Sequence, residues 1–231
     1  RDGEEREFTL ERSEIAGSAA SWAMIPDTKT AHLRLSTFSS ESAGELEQAL
    51  EESREAGAER YMLDLRGNSG GQLDQAVEAA GLFLESDSVV YIRQNAEGER
   101  EKVRTSGGSE PVQAPMTVLV DGGTASSAEI LAGALRDNGR AEAVGVSTFG
   151  TGTVLKPYDL DDDSQLLIGI AEWLTPDGDF IRENGIDPGV RVELDEDEQP
   201  VLPDEEDGLS RAEILERDAQ LARAFELVRQ K

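Results

Sequence analysis

Tyr61-Met62-Leu63-Asp64-Leu65-Arg66-Gly67-Asn68-Ser69-Gly70-Gly71 is the stretch that decides the fold class. Its first five residues form a short, almost wholly apolar run of the kind found in strands buried on both faces. The glycines from Gly67 to Gly71 permit a sharp change of direction. A helical pattern follows, with Leu73, Ala76, Val77, Ala80 and Leu84 on one face. The same strand, loop and helix recur on both sides. Upstream, Ala31-His32-Leu33-Arg34-Leu35-Ser36 alternates as a half-buried strand, then a helix from about Glu41 to Ala56 carries Ala43, Leu46, Ala49 and Leu50 and stops at Gly57. Downstream, Met116-Thr117-Val118-Leu119-Val120 reads as a strand, Ser127 to Asp137 as a helix, and Ala143-Val144-Gly145-Val146 as a further strand. Strands alternating with helices of this length predict an α/β fold of βαβ units around a mostly parallel sheet.

Other segments decorate this core. Residues 86–113 read as a β-hairpin (Val89-Val90-Tyr91-Ile92, then a turn from Asn95 to Gly98) and a polar loop. Thr153 to Leu160 and Leu166 to Trp173 read as two more strands joined at Asp161-Asp162-Asp163. The acidic, proline-containing stretch 193–208 reads as a linker. Ser210-Arg211-Ala212-Glu213 is a capping box that opens a C-terminal helix with Ile214, Leu221, Phe225 and Val228 as its apolar stripe. Residues 6–15 alternate as a lone strand. The expected organisation is therefore an N-terminal segment 1–30, a core 31–192, the linker 193–208 and a helix within 209–231.

Charge excludes one class of partner. The 231 residues carry 49 acidic and 22 basic side chains, a formal net charge of −27. Nucleic acid is not expected to bind, since a polyanion is held by clustered cations. Only Lys29, Lys102, Lys156 and Lys231 are lysines. Acid excess with scarce lysine fits a protein of concentrated salt, where self-repulsion is screened, and also fits an ordinary acidic protein. There are no cysteines, so disulfides and thiolate chemistry are excluded. No run approaches the ~18 apolar residues of a membrane span, and no signal peptide is visible. The chain starts at Arg1 rather than methionine, as a fragment or processed form would.

Three segments in order carry a family resemblance: Asp64-Leu65-Arg66-Gly67-Asn68-Ser69-Gly70-Gly71, Gly122-Gly123-Thr124-Ala125-Ser126-Ser127-Ala128-Glu129-Ile130 and Thr148-Phe149-Gly150-Thr151-Gly152. Together with Ala171-Glu172-Trp173-Leu174-Thr175-Pro176 and Asn184-Gly185-Ile186-Asp187-Pro188, they resemble the carboxyl-terminal processing (tail-specific) serine peptidases over residues 31–192. The resemblance implies a crotonase/ClpP-like core, a protein or peptide substrate taken at its C-terminal tail, no cofactor and no metal, and an extracytoplasmic (periplasmic or cell-envelope) setting. It also implies a PDZ domain ahead of the core. The opening thirty residues are too few for one, so 1–30 is expected to hold only a remnant strand and a linker.

In that family a serine of the second segment is the nucleophile, which falls here on Ser126, and a lysine of a Phe-Gly-Lys-Gly run is its base, which falls on Thr151. The family's serine run alternates Ser-Ala-Ser-Ala-Ser-Glu, whereas this one reads Thr124-Ala125-Ser126-Ser127-Ala128-Glu129, so Ser127 is a second candidate. A serine at the start of a helix faces unpaired N–H groups and the positive end of the dipole, which suits a developing oxyanion; equally, serine caps helices without any chemistry. Gly70 or Gly71, with Ser127, would supply oxyanion N–H groups, glycine letting a carbonyl approach the backbone closely. Leu155 stands where the family places a glutamine that orients the lysine, and Asp137 matches an aspartate of the family's helix.

A threonine hydroxyl is no base near neutral pH, so the chain carries the scaffold of a Ser/Lys peptidase without its amine. Two substitutes are conceivable. Lys156 lies five residues beyond Thr151, a spacing that points to the opposite face of a strand. His32, the one histidine, alternates with Leu33 and Leu35 and is expected at the surface. The acidic runs 161–163 and 193–208 lack the spaced ligands and central glycine of a calcium loop and read as solvated. Two functions follow: a serine endopeptidase acting on protein tails, or a non-catalytic relative that binds chain termini or a partner protein in the same cleft.

Overall fold

The apolar run Tyr61 to Leu65 supplies a middle strand of a six-stranded sheet. The computed structural model describes residues 17–106, 110–162, 164–195 and 198–230. Its elements are β1 (Ala20–Met24), β2 (Thr30–Leu35), α1 (Ser42–Glu55), β3 (Arg60–Asp64), α2 (Leu73–Gly81), β4 (Val89–Asn95), β5 (Arg100–Arg104), β6 (Met116–Val120), α3 (Ser127–Asp137), β7 (Glu142–Gly145), β8 (Thr153–Asp159), β9 (Gln165–Leu174), β10 (Val190–Arg191), a 3-10 turn (Pro203–Glu205), α4 (Arg211–Arg217) and α5 (Ala219–Val228). The main sheet has the order β1-β2-β3-β6-β7-β10, parallel throughout except for the antiparallel β1–β2 pair. A second, antiparallel sheet runs β5-β4-β9-β8. β1 lies inside the segment set apart on sequence as 1–30; its five residues pair with Ala31 to Leu35 of β2. The alternating stretch 6–15 falls outside the described residues.

Side-chain alternation divides the main sheet into two faces. Leu33, Leu63, Val118 and Ala143 face α1, α2 and α3 in the larger apolar cluster. Met62, Leu119 and Val144 face the other way, against Val201, Ile214, Leu221, Phe225 and Val228. Each such side chain fully withdrawn from water contributes about 1.5–3 kcal/mol, so the C-terminal segment is a structural layer of the core.

That layer corrects three sequence expectations. Stretch 193–208 is not a free linker: Val201 and Glu206 within it are buried. The final helix is two helices, α4 and α5, broken at Asp218, whose carboxylate accepts from the Leu221 N–H and caps the second. Ser210 and Glu213 do form the expected box at the start of α4. His32 is likewise not at the surface. It is wholly buried, because the face of β2 that alternation assigns to water is covered by the C-terminal segment. By contrast the β8–β9 arm, found where two strands are expected, leaves Leu155, Leu166, Leu167 and Ile168 exposed.

Candidate active site

Parallel strands β3, β6 and β7 end on the same edge of the sheet, and the three motif segments are the loops that leave those ends. Open α/β sheets place their ligand sites at this edge. The loops are bonded directly to one another. Thr124 Oγ1 donates to the Leu65 carbonyl, the Ala125 N–H to the Asn68 carbonyl, and the Phe149 N–H to the Thr124 carbonyl. Asp121 Oδ1 accepts from the N–H of Gly67 and of Gly123, each at 2.9 Å.

Ser126 sits on the turn between β6 and α3 with φ of 56° and ψ of −121°. A non-glycine residue at positive φ is strained by about 1–3 kcal/mol, and such strain persists only where its surroundings over-determine it. The surroundings here are specific. Glu129, three residues on and fully buried, reaches back so that its Oε2 accepts from the Ser126 N–H at 2.8 Å. Only this half of a capping box is built: the Glu129 N–H goes to the Ser126 carbonyl, not to its hydroxyl. Among the described residues the Ser126 hydroxyl has no hydrogen-bond partner, so it does not cap the helix.

Ser127 is placed differently. Fully buried, its hydroxyl donates to the Gly71 carbonyl at 2.9 Å, which ties the start of α3 to the glycine loop. The structure thus distinguishes the two serines: one hydroxyl is free at the turn, the other is a strut. Ser127 also supplies the first amide of α3, which has no partner among the described residues.

The glycine loop packs hard against this turn. A Cβ on Gly70 would lie 2.7 Å from Ser126 Cβ and 2.9 Å from the Ala125 carbonyl oxygen, and φ at Gly70 is 98°. A Cβ on Gly71 would lie 2.2 Å from the Phe38 carbonyl oxygen. The Gly70 N–H is engaged by Asn68 Oδ1 at 2.9 Å, while its carbonyl accepts from the Phe38 N–H. A trans peptide sets N–H opposite C=O, so the Gly71 N–H points away from Phe38. It has no partner among the described residues.

The third segment is gathered onto the same carboxylate. Glu129 Oε1 accepts from Thr148 Oγ1 and from the Gly150 N–H at 2.7 Å, and Oε2 accepts from the Thr151 N–H at 2.8 Å. Four donors therefore satisfy a charge that would otherwise be costly to bury. Asn184-Gly185-Ile186-Asp187 backs this loop: the Thr148 N–H donates to the Ile186 carbonyl, and the Ile186 N–H to Thr148 Oγ1. The one sequence signal for Glu129 is the capping-box spacing of Ser126-x-x-Glu129.

Thr151 is therefore beside Ser126, with its own hydroxyl unbonded among the described residues. Leu155 stands on β8, opposite Gly169 and more than half exposed. Asp137 ends α3, roughly 15 Å from Ser127 at 1.5 Å per residue; it bonds Arg136 Nε and the Asp177 N–H and has a structural place away from the serine. Neither substitute base is near. Lys156 lies exposed over the Tyr158 ring, and both His32 ring nitrogens are bonded, to Asp64 and Glu206, on the second face of the sheet. Among the described residues no three acidic or histidine side chains are grouped to hold a metal ion, and no helix is long and apolar enough to cross a membrane.

Most of the chain is similar to known proteins. The profile of peptidase family S41 matches residues 29–192. A carboxyl-terminal-processing protease of Synechocystis is 39% identical over 192 residues, covering 81% of this chain and 44% of its own length. The chloroplastic carboxyl-terminal-processing peptidase 3 of Arabidopsis thaliana is 37% identical over 193 residues, covering 80% of this chain and 37% of its own length. Among solved structures, a photosystem II D1 C-terminal processing protease superposes with a TM-score of 0.70 at 29% identity, over 79% of this chain and 50% of that one. The chain thus spans less than half the length of these curated relatives.

Proposed function

Since the chain belongs to peptidase family S41, we propose that it is the peptidase core of a carboxyl-terminal processing serine endopeptidase, built to take unfolded protein tails at Ser126 but lacking the general base at position 151. The observation that carries this reading is the state of Ser126: a strained turn, a free hydroxyl, and an N-terminal helix amide beside it. In this reading Ser126 attacks the scissile carbonyl, and the oxyanion that develops is met by the amides of Ser127 and Gly71. Gly70 keeps its amide on Asn68 and contributes by absence of a side chain, since any Cβ there would displace Ser126.

Attack requires a proton acceptor. A positioned base typically contributes 10²–10⁴-fold, and among the described residues those bonded at the Ser126 turn offer only Thr151 and the four-fold bonded Glu129. Turnover is accordingly slow, whereas tail binding and oxyanion contacts need no amine. This favours a second reading, a relative that holds chain termini in the cleft without cutting them. By kinship with the processing proteases, the setting is extracytoplasmic and the substrate is a protein tail.

A serine-reactive fluorophosphonate in high salt, with Ser126→Ala as control, separates the two. Labelling that disappears in the alanine variant supports an activated serine. Absence of labelling in both forms, with saturable binding of an unstructured tail peptide, supports the binding protein.

A further inference from the structure

The glycine loop is anchored from the opposite side of the sheet. Arg66 is the last large side chain before Gly67, Gly70 and Gly71, all at positive φ. It points through the second face and is 1% exposed. Its guanidinium is divided between two carboxylates: Nε and Nη2 donate to Asp64 at 2.7–3.1 Å, and Nη1 donates to Asp218 at 2.8 and 3.0 Å and to Gln220 Oε1 at 3.2 Å. Asp218 is the joint between α4 and α5 and also accepts from the N–H of Val201 and of Leu221. Asp64 in turn accepts the Arg66 N–H and meets His32, whose other nitrogen lies 2.6 Å from Glu206. Two fastenings, Arg66 with Asp218 and His32 with Glu206, therefore join β2 and β3 to the segment 201–228.

We propose that Asp218 is a positioning residue for the candidate active site, holding Arg66 and thereby the start of the glycine loop, so that the docked C-terminal segment is a working part of the oxyanion geometry. The proposal rests on the peptidase reading for its catalytic consequence but not for its structural one. A glycine-rich loop has more backbone freedom to lose than any other, so its conformation depends on fixed ends. Asn68 and Ser127 hold the far part of the loop. The near end is held on the site side by Asp121 and Thr124 and through the sheet by Arg66, a buried cation that loses half its compensation if Asp218 leaves.

Hydrogen–deuterium exchange on the substrate-free protein tests this, comparing wild type with Asp218→Asn, Asp218→Glu and Gln220→Ala. Asparagine keeps an acceptor for Leu221 but withdraws the charge from Arg66. The expected result is exchange on the order of 10-fold faster over residues 66–72 in Asp218→Asn, partly restored in Asp218→Glu, with α1 unchanged. Gln220→Ala gives a smaller acceleration at the same residues and serves if Asp218→Asn does not fold. Faster exchange confined to α4 and α5, with 66–72 as in wild type, overturns the proposal and leaves Asp218 a helix cap. In a Thr151→Lys background, Asp218→Asn is expected to lower kcat with little change in KM. If that background shows no turnover while 66–72 still responds, the peptidase reading fails and the positioning role stands.

Discussion

The amide nitrogens of Ser126 and Thr151 share one acceptor, Glu129 Oε2, each at 2.8 Å. The two nitrogens consequently lie no more than twice that distance apart, although the residues are twenty-five positions apart in sequence. Glu129 registers the serine turn against the loop that carries Thr151, and it does so from inside the core.

This sharing makes Glu129→Gln a sensitive change. A glutamine offers one acceptor oxygen and one NH₂ where the carboxylate met three N–H groups and the Thr148 hydroxyl, so at least one N–H is left facing a donor. Loss of charged hydrogen bonds in a buried site costs about 1.5–3 kcal/mol, which for a chain of this size lowers Tm by roughly 3–12 °C. Calorimetry of the variant is the check, and a melting point within 1–2 °C of wild type would show that Glu129 is not the fastening described here.

Gly70→Ala is expected to damage the site more than the fold. The new Cβ meets Ser126 Cβ at 2.7 Å, and the backbone at φ of 98° is strained for any L side chain. Fluorophosphonate labelling of Ser126 should fall at least 10-fold while circular dichroism is retained. Labelling at the wild-type rate would mean that the glycine loop and the serine turn move apart freely, against the packing seen.

Stability should depend on pH through His32. Burial alone would favour the neutral ring, but the bonds to Asp64 and Glu206 outweigh it and leave the pKa raised. A histidine raised above its ordinary ~6.5 stabilises fully below that pH and loses the contribution as pH rises through its folded value. Asp64 behaves oppositely: burial is outweighed by the charge of Arg66 and the bond from His32, its pKa is held far below the carboxylate range, and its contribution is lost only in acid. Removing one partner of a buried pair costs about 3–5 kcal/mol, so His32→Gln should be that much less stable than wild type near pH 6. The gap should narrow steadily toward pH 9. A gap constant with pH in urea titrations would mean that the buried ring is neutral throughout.

The parallel core was legible because β3 and β6 announce themselves as apolar runs followed by glycines and an amphipathic helix; β6 and α3 fall where the spacing puts them. The second face was not legible. Residues 193–208 are acidic enough to read as solvated, and nothing local signals that Glu206 will meet His32 across 174 positions or that Asp218 will meet Arg66. Buried polar pairs of such separation follow from tertiary packing, not from periodicity. The same blindness put His32 at the surface, since alternation tells which residues share a face but not what covers it. At the site, the motif order located Ser126, Gly70 and Thr151, whereas the free hydroxyl of Ser126 and the engaged one of Ser127 required coordinates.

Salt should stabilise the protein. A net charge of −27 makes the compact state repel itself, and added ions screen that repulsion over a Debye length that falls from ~10 Å at 0.1 M to ~3 Å at 1 M. Exposed pairs such as Arg93–Glu101 and Arg191–Glu193 weaken in salt, but each is worth only about 0–1 kcal/mol, so relief of repulsion dominates. Tm is expected to rise from dilute buffer to molar potassium chloride. A flat or falling curve would remove the case for a protein adapted to concentrated salt.

Thr151→Lys should restore what the site lacks. The backbone at 151 is already fastened beside Ser126 through Glu129 Oε2, so the substitution adds a side chain without moving the loop, and a lysine stem is long enough to bring its amine to the Ser126 hydroxyl. Part burial at position 151 lowers the amine's pKa toward the range a base needs, while the Glu129 carboxylate opposes that shift. The expected gain in cleavage of an unstructured tail peptide is therefore roughly 10²-fold, the low end of what a positioned base contributes. Adding Leu155→Gln should raise the rate further but by less, because residue 155 is more than half exposed and its amide would be shared with water. Rates are compared for wild type, both variants and each in a Ser126→Ala background. Wild type cleaving as fast as the lysine variant would mean that another base already serves Ser126. Cleavage surviving Ser126→Ala would mean that the nucleophile lies elsewhere.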